Sequence, residues 1–336
     1  MKTVKLYSGN VVYGRLPYGC QLCLLGLKSV IFVTGICPRS CYYCPLSLEK
    51  RMRDVFYVNE RPVKGLNEVI AEVATSGSRG AGFTGGDPLS RFERTLTVLQ
   101  TLKSTFGERF HVHLYTTGVT LDADIIGKLE RAGLDELRLH PDPCHVEKLL
   151  SLLREKRPSF VVGLEIPAIP GGFNEALNLI ERAATSEVID FVNLNELEFS
   201  ESNSSELRKR GLSISDDGRS AEGSRETALR LIEVAKARGY AISLHFCPAK
   251  SKDAYQTRLR LYRRGVISAK PHEIVSNDGT ILKAVVPESC SSVPEILLFR
   301  GRQGSETSLL VAELTGAQHS LVEELPDFNR TLLNII

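Results

Sequence analysis

The 336-residue sequence has no apolar segment long enough to span a bilayer. Its longest apolar stretch, Leu22 to Cys37, is interrupted by Lys28 and Ser29 and is shorter than the ~20 residues that a transmembrane helix needs. The N-terminus, MKTVKLYSGN, also lacks the apolar core of a secretory signal. These absences predict a cytoplasmic protein, whose eight cysteines serve metal or redox chemistry rather than disulfides.

The sequence also has little net charge, because 42 Lys and Arg residues oppose 40 Asp and Glu residues, a balance of +2. An apolar content of 42% excludes disorder over most of the chain. The charge is nevertheless unevenly distributed. Residues 250–270 contain seven basic side chains and one acid, so this segment alone carries +6.

Short β-branched runs alternate with amphipathic stretches from residue 29 to about residue 246, which predicts βαβ units and a parallel sheet. The predicted strands are Ser29–Thr34, Ala81–Thr84, His111–Thr116, Glu136–His140, Phe160–Ile166, Phe191–Asn195 and Ala241–Phe246. The predicted helices are Leu66–Ser76, Arg91–Phe106, Asp122–Ala132, His145–Lys156, Asn174–Thr185 and Ser224–Arg238. We therefore expect an α/β fold built on a partial (β/α)6-type TIM barrel.

Three segments are expected along the chain. Residues 1–28 form a short N-terminal extension, residues 29–250 form the partial barrel, and residues 251–336 form a basic helix and a small β-rich appendage. The strands expected in the appendage are His272–Ser276, Thr280–Val286 after an Asn-Asp-Gly turn, Glu295–Phe299 and Ser308–Glu313. The polar residues 200–223 predict an exposed loop that could act as a lid over the strand ends.

Polar side chains recur on one face of four successive predicted strands, opposite an apolar face that suits packing under helices. They are His111, His113, Tyr115, Arg138, His140, Glu165, Asn193 and Asn195. Barrel interiors are normally filled by branched apolar side chains. The pattern therefore favours a cavity that holds water, a cofactor or a substrate, and the alternative is a closed network in which these groups satisfy one another.

A cluster of cysteines, Cys37-Pro-Arg-Ser-Cys41-Tyr-Tyr-Cys44, directly follows the first predicted strand of the parallel sheet. Three thiolates at this spacing can converge on one metal centre in a loop. Three protein ligands leave a coordination position open, which is typical of a working centre rather than a structural one. A structural zinc site with three cysteines and one histidine is the alternative.

The CxxxCxxC spacing resembles the signature of the radical SAM superfamily, with Tyr43 at the position of its aromatic residue. Two further segments are similar to that family and end the second and third predicted strands. Thr84-Gly85-Gly86-Asp87-Pro88 resembles its Gly-Gly-Glu-Pro segment, with Asp in place of Glu, and Thr116-Thr117-Gly118 resembles its Thr-Asn-Gly. Within the superfamily, the chain is most similar to archaeal-type proteins related to pyruvate formate-lyase activating enzyme.

The resemblance implies that Cys37, Cys41 and Cys44 bind a [4Fe–4S] cluster whose fourth iron chelates S-adenosylmethionine. An electron from a donor such as ferredoxin or flavodoxin would then yield a 5′-deoxyadenosyl radical, which abstracts hydrogen from the substrate. The cofactor contacts it implies are Tyr43 with adenine, Gly85, Gly86 and Asp87 with the methionine amino group, and Thr117, Glu165 and Asn195 with the ribose and substrate. The candidate catalytic residues are His140, Glu196 and Glu198.

Two other functions stay open beside a radical SAM enzyme with an unidentified substrate. One is a glycyl-radical-type activating enzyme that acts on a protein. The extra N-terminal cysteines and the β-rich appendage argue against it, because a minimal activating enzyme would need neither. The other is a non-catalytic iron–sulfur or electron-transfer protein.

Cys20 and Cys23 form a CxxC pair outside the main cysteine cluster. Two ligands cannot complete a tetrahedral site, and the best completing pair is His245 and Cys247, which share one face of the last predicted strand. We therefore expect a second metal site, holding zinc or another iron–sulfur cluster. The alternative is an unmetallated CxxC beside an ordinary core cysteine.

The basic segment contains a predicted helix, Asp253–Arg264, with an apolar stripe at helical spacing. Four arginines lie off this stripe or near the helix end: Arg258, Arg260, Arg263 and Arg264. A basic helix beside a cavity mouth could bind a phosphate backbone, which makes RNA a candidate substrate. An acidic protein, a phosphorylated small molecule, or simply a solvated helix are the alternatives.

Overall fold

The computed structural model describes residues 1–336 and contains two β-sheets. The larger sheet has the order β1-β2-β11-β10-β9-β8-β7-β6-β3-β4-β5, and its seven central strands, β11 to β3, are parallel. Its strands are β1 (Thr3–Lys5), β2 (Val11–Tyr13), β3 (Lys28–Thr34), β4 (Tyr57–Val58), β5 (Arg61–Pro62), β6 (Gly80–Gly85), β7 (His111–Thr116), β8 (Glu136–Leu139), β9 (Val161–Ala168), β10 (Phe191–Glu196) and β11 (Ser243–Cys247). The antiparallel strands at the two edges make the sheet mixed.

Helices connect the parallel strands, as the alternating pattern predicts. The helices of the whole chain are α1 (Tyr18–Leu24), α2 (Leu66–Thr75), α3 (Phe92–Phe106), α4 (Ala123–Arg131), α5 (Val146–Lys156), α6 (Phe173–Thr185), α7 (Ser204–Lys209), α8 (Ser224–Ala237), α9 (Ala249–Ser251), α10 (Arg258–Ser268) and α11 (Leu309–Thr315). A π-helical turn, Lys252–Thr257, joins α9 to α10. The α/β class is therefore confirmed, and no helix is long and apolar enough to cross a membrane.

The apolar faces of the central strands pack into the main core, as the parity of their residues predicts. Val112 and Leu114 of β7 and Val192 and Leu194 of β10 are fully buried in this core. Burial of each such side chain contributes about 1.5–3 kcal/mol. The core thus holds the strands in register, so that their carboxyl ends meet on one side of the fold.

Part of the opposite, polar face forms a closed network, so the prediction of a ligand-filled interior is wrong for these side chains. Arg138 is buried and donates from Nε to Glu136 Oε1 at 2.6 Å and from Nη1 to Glu165 Oε1 at 2.7 Å. Glu165 also accepts from the amides of Asn193 and Asn195, both at 2.6 Å. These groups satisfy one another, which is the condition for keeping charges inside a protein.

Helix α1 covers this network at the amino ends of the strands. The Gly19 N–H donates to Glu136 Oε2 at 3.2 Å, and the Cys20 thiol contacts Arg138 Nη2 at 3.3 Å. A Cβ atom on Gly19 would lie 2.6 Å from His113 Nδ1, so only glycine permits this approach. The N-terminal segment therefore packs as a plug against the sheet.

The C-terminal residues form the second sheet, with the order β14-β15-β13-β16-β17 and β12 paired to β13. Its strands are β12 (Ile274–Val275), β13 (Ile281–Val286), β14 (Phe299–Gly301), β15 (Gly304–Thr307), β16 (Ser320–Glu324) and β17 (Leu332–Ile335). The predicted hairpin around Asn277-Asp278-Gly279 is confirmed, because Ile274 pairs with Leu282 across it.

Two strand predictions in this appendage are wrong. Glu295–Leu297 is a 3-10 helix, and the strand begins only at Phe299. The sequence predicts a strand over Ser308–Glu313, but residues 309–313 belong to α11. The Ser308 hydroxyl caps this helix by accepting from the Val311 N–H at 3.1 Å, and Gly316 ends it in a left-handed conformation.

Candidate active site

The three clustered cysteines lie in the loop that follows β3, at the carboxyl end of the parallel sheet. Cys37, Cys41 and Cys44 are half-buried free thiols, and all three line one cavity of about 220 Å³. A turn closed by the Cys44 N–H and the Cys41 carbonyl, at 3.1 Å, brings the last two together. Three thiols facing one cavity are the donor set that an iron–sulfur cluster requires. The residues present therefore fit the group that the motif implies.

Desolvation opposes ionisation of the Cys37 thiol when no metal is bound. Burial raises the pKa of the Cys37 thiol, and the N–H of Arg39 partly offsets this by donating to its sulfur at 3.4 Å. A bound iron favours the thiolate instead. Ligation and deprotonation are consequently coupled at this loop.

The turn after β6 forms hydrogen bonds with the backbone that leads into the cysteine loop. The Gly86 N–H donates to the Thr34 carbonyl and the Asp87 N–H donates to the Ile36 carbonyl, both at 2.8 Å. Gly85 has a φ of 138°, a conformation that L-residues rarely adopt. Gly86 also lines the 220 Å³ cavity. The two glycines thus let the β6 turn pack directly on the backbone that leads into the cysteines.

Asp87 is fully buried, and its carboxylate is already bound by this chain's own groups. Oδ2 accepts from the Thr117 N–H at 3.0 Å and the Thr117 hydroxyl at 2.6 Å. Oδ1 accepts from the Leu89 N–H at 3.0 Å and the Thr116 hydroxyl at 2.9 Å. The predicted contact with a methionine amino group is therefore not supported. Asp87 instead ties the β6 turn to the end of β7.

We expect Gly86→Ala to disrupt the cysteine loop. A Cβ atom there would lie 2.4 Å from the Ile36 carbonyl oxygen and 2.6 Å from that of Gly35, so the backbone must shift. Overpacking of this kind costs about 1–3 kcal/mol. The apoprotein should melt at a lower temperature and reconstitute with less iron. Gly65→Ala is the matched control, because its Cβ would meet no atom within 4 Å, and equal behaviour of the two variants would refute the packing argument.

Tyr43 and His140 form a hydrogen-bonded pair beside the cysteines. His140 Nδ1 lies 2.6 Å from the Glu165 carbonyl oxygen, so Nδ1 carries the proton and Nε2 accepts from the Tyr43 hydroxyl at 2.8 Å. Burial lowers the pKa of His140 and raises that of Tyr43, which keeps both side chains neutral. Of the three predicted catalytic residues, His140 is the one that the structure places at the site.

A second cavity of about 570 Å³ adjoins the first. The two share four lining residues: Arg39, Cys41, Tyr43 and His140. The remaining wall consists mainly of the loops after β8 and β9, including Pro141 and Pro170, together with Glu175 of α6. This volume lies in the range typical of ligand pockets. A substrate in it would lie next to the cysteine loop.

Glu196 and Glu198 do not reach this site, which corrects their prediction as catalytic residues. Glu196 accepts from the Ala249 N–H at 2.7 Å and lines a separate cavity of about 630 Å³. Glu198 pairs with Arg219, at 2.8 Å, and with Lys252. Glu165 and Asn195, predicted to contact ribose or substrate, are bound in the closed network, whereas Thr117 does line the 220 Å³ cavity.

The predicted second metal site is also wrong. Both ring nitrogens of His245 are occupied, Nδ1 by Asn193 Oδ1 at 3.0 Å and Nε2 by Asn10 Oδ1 at 2.7 Å. Burial raises the pKa of the Cys20 thiol to about 12, and the Cys247 thiol is buried beside Gln256. The four side chains do not bring their ligand atoms together. The CxxC instead belongs to the α1 plug.

A double variant, Cys20→Ala with Cys23→Ala, should therefore keep the metal content of the wild type. The plug loses only two small side chains, so we expect lower thermal stability but unchanged iron and no zinc in either protein. Metal analysis of both proteins after identical purification and reconstitution checks this. Loss of zinc, or of an iron fraction beyond one cluster, in the double variant would restore the second site.

Three of the four α10 arginines have partners within the chain, so the predicted RNA-binding surface has no support. Arg264 is buried in an ion pair with Glu72, and Arg263 Nε donates to the Leu25 carbonyl at 3.0 Å. Arg258 lies 3.7 Å from Asp278, and burial lowers the pKa of Arg260. Part of the positive charge of residues 250–270 is thus paired with acids outside the segment, which a local count cannot show.

Three site residues were missed by sequence reasoning. Arg39 lies between the cysteines and donates from Nη1 to the His140 carbonyl at 2.7 Å, and its position within the motif could have indicated it. Arg51 lines the 220 Å³ cavity from the same loop. Asn203, inside the predicted polar loop, donates to the Tyr43 carbonyl, and no sequence pattern marks it.

Comparison with known proteins defines the class to which this fold and site belong. The family model of the radical SAM superfamily matches residues 31–193. A Methanocaldococcus jannaschii protein is 43% identical over 284 residues, which cover 82% of this chain and 74% of that protein. Its name assigns it provisionally as an enzyme that activates a glycyl-radical enzyme. The chain therefore belongs to the radical SAM superfamily. It is a radical SAM enzyme, and the cofactors of the family, a [4Fe–4S] cluster and S-adenosylmethionine, are its cofactors.

Other relatives are more distant. GTP 3′,8-cyclase of Corynebacterium glutamicum is 31% identical over 170 residues, 49% of this chain and 44% of the cyclase. Among solved structures, the radical SAM enzyme coproporphyrinogen III oxidase of Escherichia coli matches 96% of this chain and 75% of its own, at 13% identity and a TM-score of 0.39. A cobalamin- and [4Fe–4S]-bound radical SAM methyltransferase of Kitasatospora setae covers 56% of this chain and 42% of its own, at 13% identity and a TM-score of 0.37.

Proposed function

We propose that this radical SAM enzyme abstracts a hydrogen atom from a polypeptide, and that Cys37, Cys41 and Cys44 hold its cluster. The observation that carries the cluster assignment is the convergence of three thiols on a cavity that adjoins a second, larger one. When bound, the cluster and S-adenosylmethionine supply reductive bond cleavage and an acceptor for the substrate hydrogen. The chain itself supplies the cavity, its orientation and the exclusion of water.

Several elements around the site contribute to its structure. The β6 turn, with Gly85 and Gly86, supports the cysteine loop and leaves space for the cofactor. Thr117 presents its side chain at the cavity edge, held by Asp87. The neutral Tyr43–His140 pair lies between the two cavities, beside Arg39, which lines both. We also propose that the seven parallel strands form a partial barrel around this site, within residues 29–250, flanked by the extension at 1–28 and the appendage at 251–336.

A polypeptide substrate is favoured over RNA for two reasons. Arg263 and Arg264 of α10 are bound within the chain, which weakens the case for RNA recognition by this helix. The Methanocaldococcus relative is named for activation of a glycyl-radical enzyme, which is a protein. The N-terminal cysteines also argue less strongly against an activating enzyme, because they are part of a packed plug rather than an additional metal site.

Isotope transfer tests the substrate class. Reconstituted, reduced enzyme and S-adenosylmethionine are incubated anaerobically with RNase-treated soluble protein from source cells grown on glycine deuterated at Cα, or with total structured RNA from the same cells. We expect deuterium in 5′-deoxyadenosine only in the protein arm, because hydrogen taken from the substrate ends there. Unlabelled 5′-deoxyadenosine whose yield rises with RNA alone would contradict the proposal, while the radical SAM chemistry would stand. A one-electron donor of the ferredoxin or flavodoxin type, as such enzymes need, serves both arms.

A further inference from the structure

Asn203 lies in the connection after β10, yet it is as deeply buried as any core residue, at 0% exposure. All the polar atoms of its side chain are used. Nδ2 donates to the Tyr43 carbonyl at 3.0 Å and to the Glu198 carbonyl at 2.9 Å, while Oδ1 accepts from the Ser200 N–H at 2.8 Å. A buried amide with every group satisfied fixes the backbone around it. Asn203 thus joins two loops that are 160 residues apart in sequence.

The same connection covers the cysteine loop more widely. We call residues 197–222 the covering segment. The hydroxyl of Ser202 donates to the Cys44 carbonyl at 3.3 Å. Leu207 of α7 is fully buried in a small apolar cluster that includes both Tyr42 and Tyr43, and Arg210 stacks over the Tyr42 ring at 4.1 Å. The covering segment therefore contacts the cysteine loop through two backbone carbonyls, an apolar cluster and a cation–π pair.

The Tyr43 carbonyl is the central contact of this interface. Tyr43 directly precedes the third cysteine, and its side chain lies between the two cavities. A carbonyl oxygen has two lone pairs, so the Asn203 amide occupies one and leaves the other for a ligand donor such as the amino group of adenine. Because Asn203 itself is held by Ser200 and Glu198, it sets the direction in which that second lone pair points.

We propose that Asn203 is a positioning residue for S-adenosylmethionine. It aims the Tyr43 carbonyl at the cofactor and thereby couples the covering segment to occupancy of the site. The inference rests on the assignment of the cluster to Cys37, Cys41 and Cys44. It extends the site to a part of the chain that carries none of the family's motifs.

The test is the variant Asn203→Asp, measured in the fully reconstituted protein. A carboxylate keeps the size of the amide but cannot donate, and it faces two carbonyl oxygens. We expect S-adenosylmethionine to bind about tenfold more weakly at pH 8, which corresponds to about 1.4 kcal/mol. We also expect the change that the cofactor causes in the electron paramagnetic resonance spectrum of the reduced cluster to be smaller than in the wild type.

A pH series separates positioning from a merely structural defect. At acidic pH the introduced carboxyl is protonated and can donate again, so affinity relative to the wild type should recover. Asn178→Asp, an exposed site on α6, adds the same charge and should bind like the wild type throughout. Equal binding by the wild type and Asn203→Asp, or weak binding of Asn203→Asp with no pH dependence, would overturn the proposal.

A measurement on the wild type covers the case in which Asn203→Asp does not fold. Adding S-adenosylmethionine to the reconstituted enzyme should slow amide hydrogen exchange in the covering segment, because that segment is coupled to the Tyr43 carbonyl. Unchanged exchange despite bound cofactor would refute the coupling. If the wild type builds no cluster and binds no cofactor, the assignment of the cysteines has failed instead, which is a distinguishable result.

Discussion

Replacing Cys41 with alanine should abolish the brown iron–sulfur absorbance and the reductive formation of 5′-deoxyadenosine. The same holds for Cys37 and Cys44, since a methyl group cannot replace a thiolate ligand and two remaining thiols cannot hold three irons. Iron and sulfide per chain, together with the visible spectrum, are measured after anaerobic reconstitution. We expect each variant to retain the fold of the apoprotein, because all three thiols are only half-buried.

Cys144→Ala is the matched control for these three variants. Cys144 is an exposed thiol in the connection between β8 and α5, and its sulfur lines neither cavity. We expect this variant to reconstitute and react like the wild type. Normal cluster content in any of the three clustered-cysteine variants would show that the thiol replaced is not a ligand.

Replacing Arg138 with methionine should destabilise the protein by about 3–5 kcal/mol, which is typical for breaking a buried ion pair. Its guanidinium is 2% exposed and lies between Glu136 and Glu165, so its removal leaves two buried carboxylates without their cation. Denaturant unfolding of the apoprotein measures the change. Arg131→Met, at an exposed position near the end of α4, should stay within about 0.5 kcal/mol of the wild type. A loss below about 1 kcal/mol for Arg138→Met would contradict the closed network.

The ion pair between Glu136 and Arg138 also makes the stability difference between the wild type and Arg138→Met depend on pH. Burial alone would favour the neutral form of Glu136, but Arg138 and His111 outweigh it and lower the pKa of Glu136 to about 2. A depressed carboxyl pKa stabilises the fold above the unfolded value of about 4.3, and this contribution is lost as the pH falls towards 2. The stability gap between wild type and Arg138→Met should therefore narrow below about pH 4.3.

The parts of the structure that follow from local pattern could be predicted. The alternating apolar runs predict all seven parallel strands, because the strand period and the apolar face are properties of consecutive residues. The position of Cys37, Cys41 and Cys44 at the carboxyl end of β3 follows from the same local order. The Asn277-Asp278-Gly279 hairpin likewise depends on turn residues adjacent in sequence.

The parts that depend on distant partners could not be predicted. The polar faces of β7 to β10 predict a ligand cavity, because nothing in the strands shows that α1 covers the network. Asp87 has the position of a ligand-binding acid, but Thr116 and Thr117 use both its oxygens. Arg264 of α10 is likewise paired with Glu72, far away in the chain. In α11, the Ser308 cap outweighed a β-like pattern of apolar residues.

The most direct test of the central claim is reductive cleavage of S-adenosylmethionine by the reconstituted wild-type protein under anaerobic conditions. We expect equal amounts of methionine and 5′-deoxyadenosine, formed only when a one-electron reductant is present and only when Cys37, Cys41 and Cys44 are intact. A protein that binds four irons and four sulfides through these cysteines, yet releases no 5′-deoxyadenosine under reduction, would contradict the assignment of this site as the centre of a radical SAM enzyme.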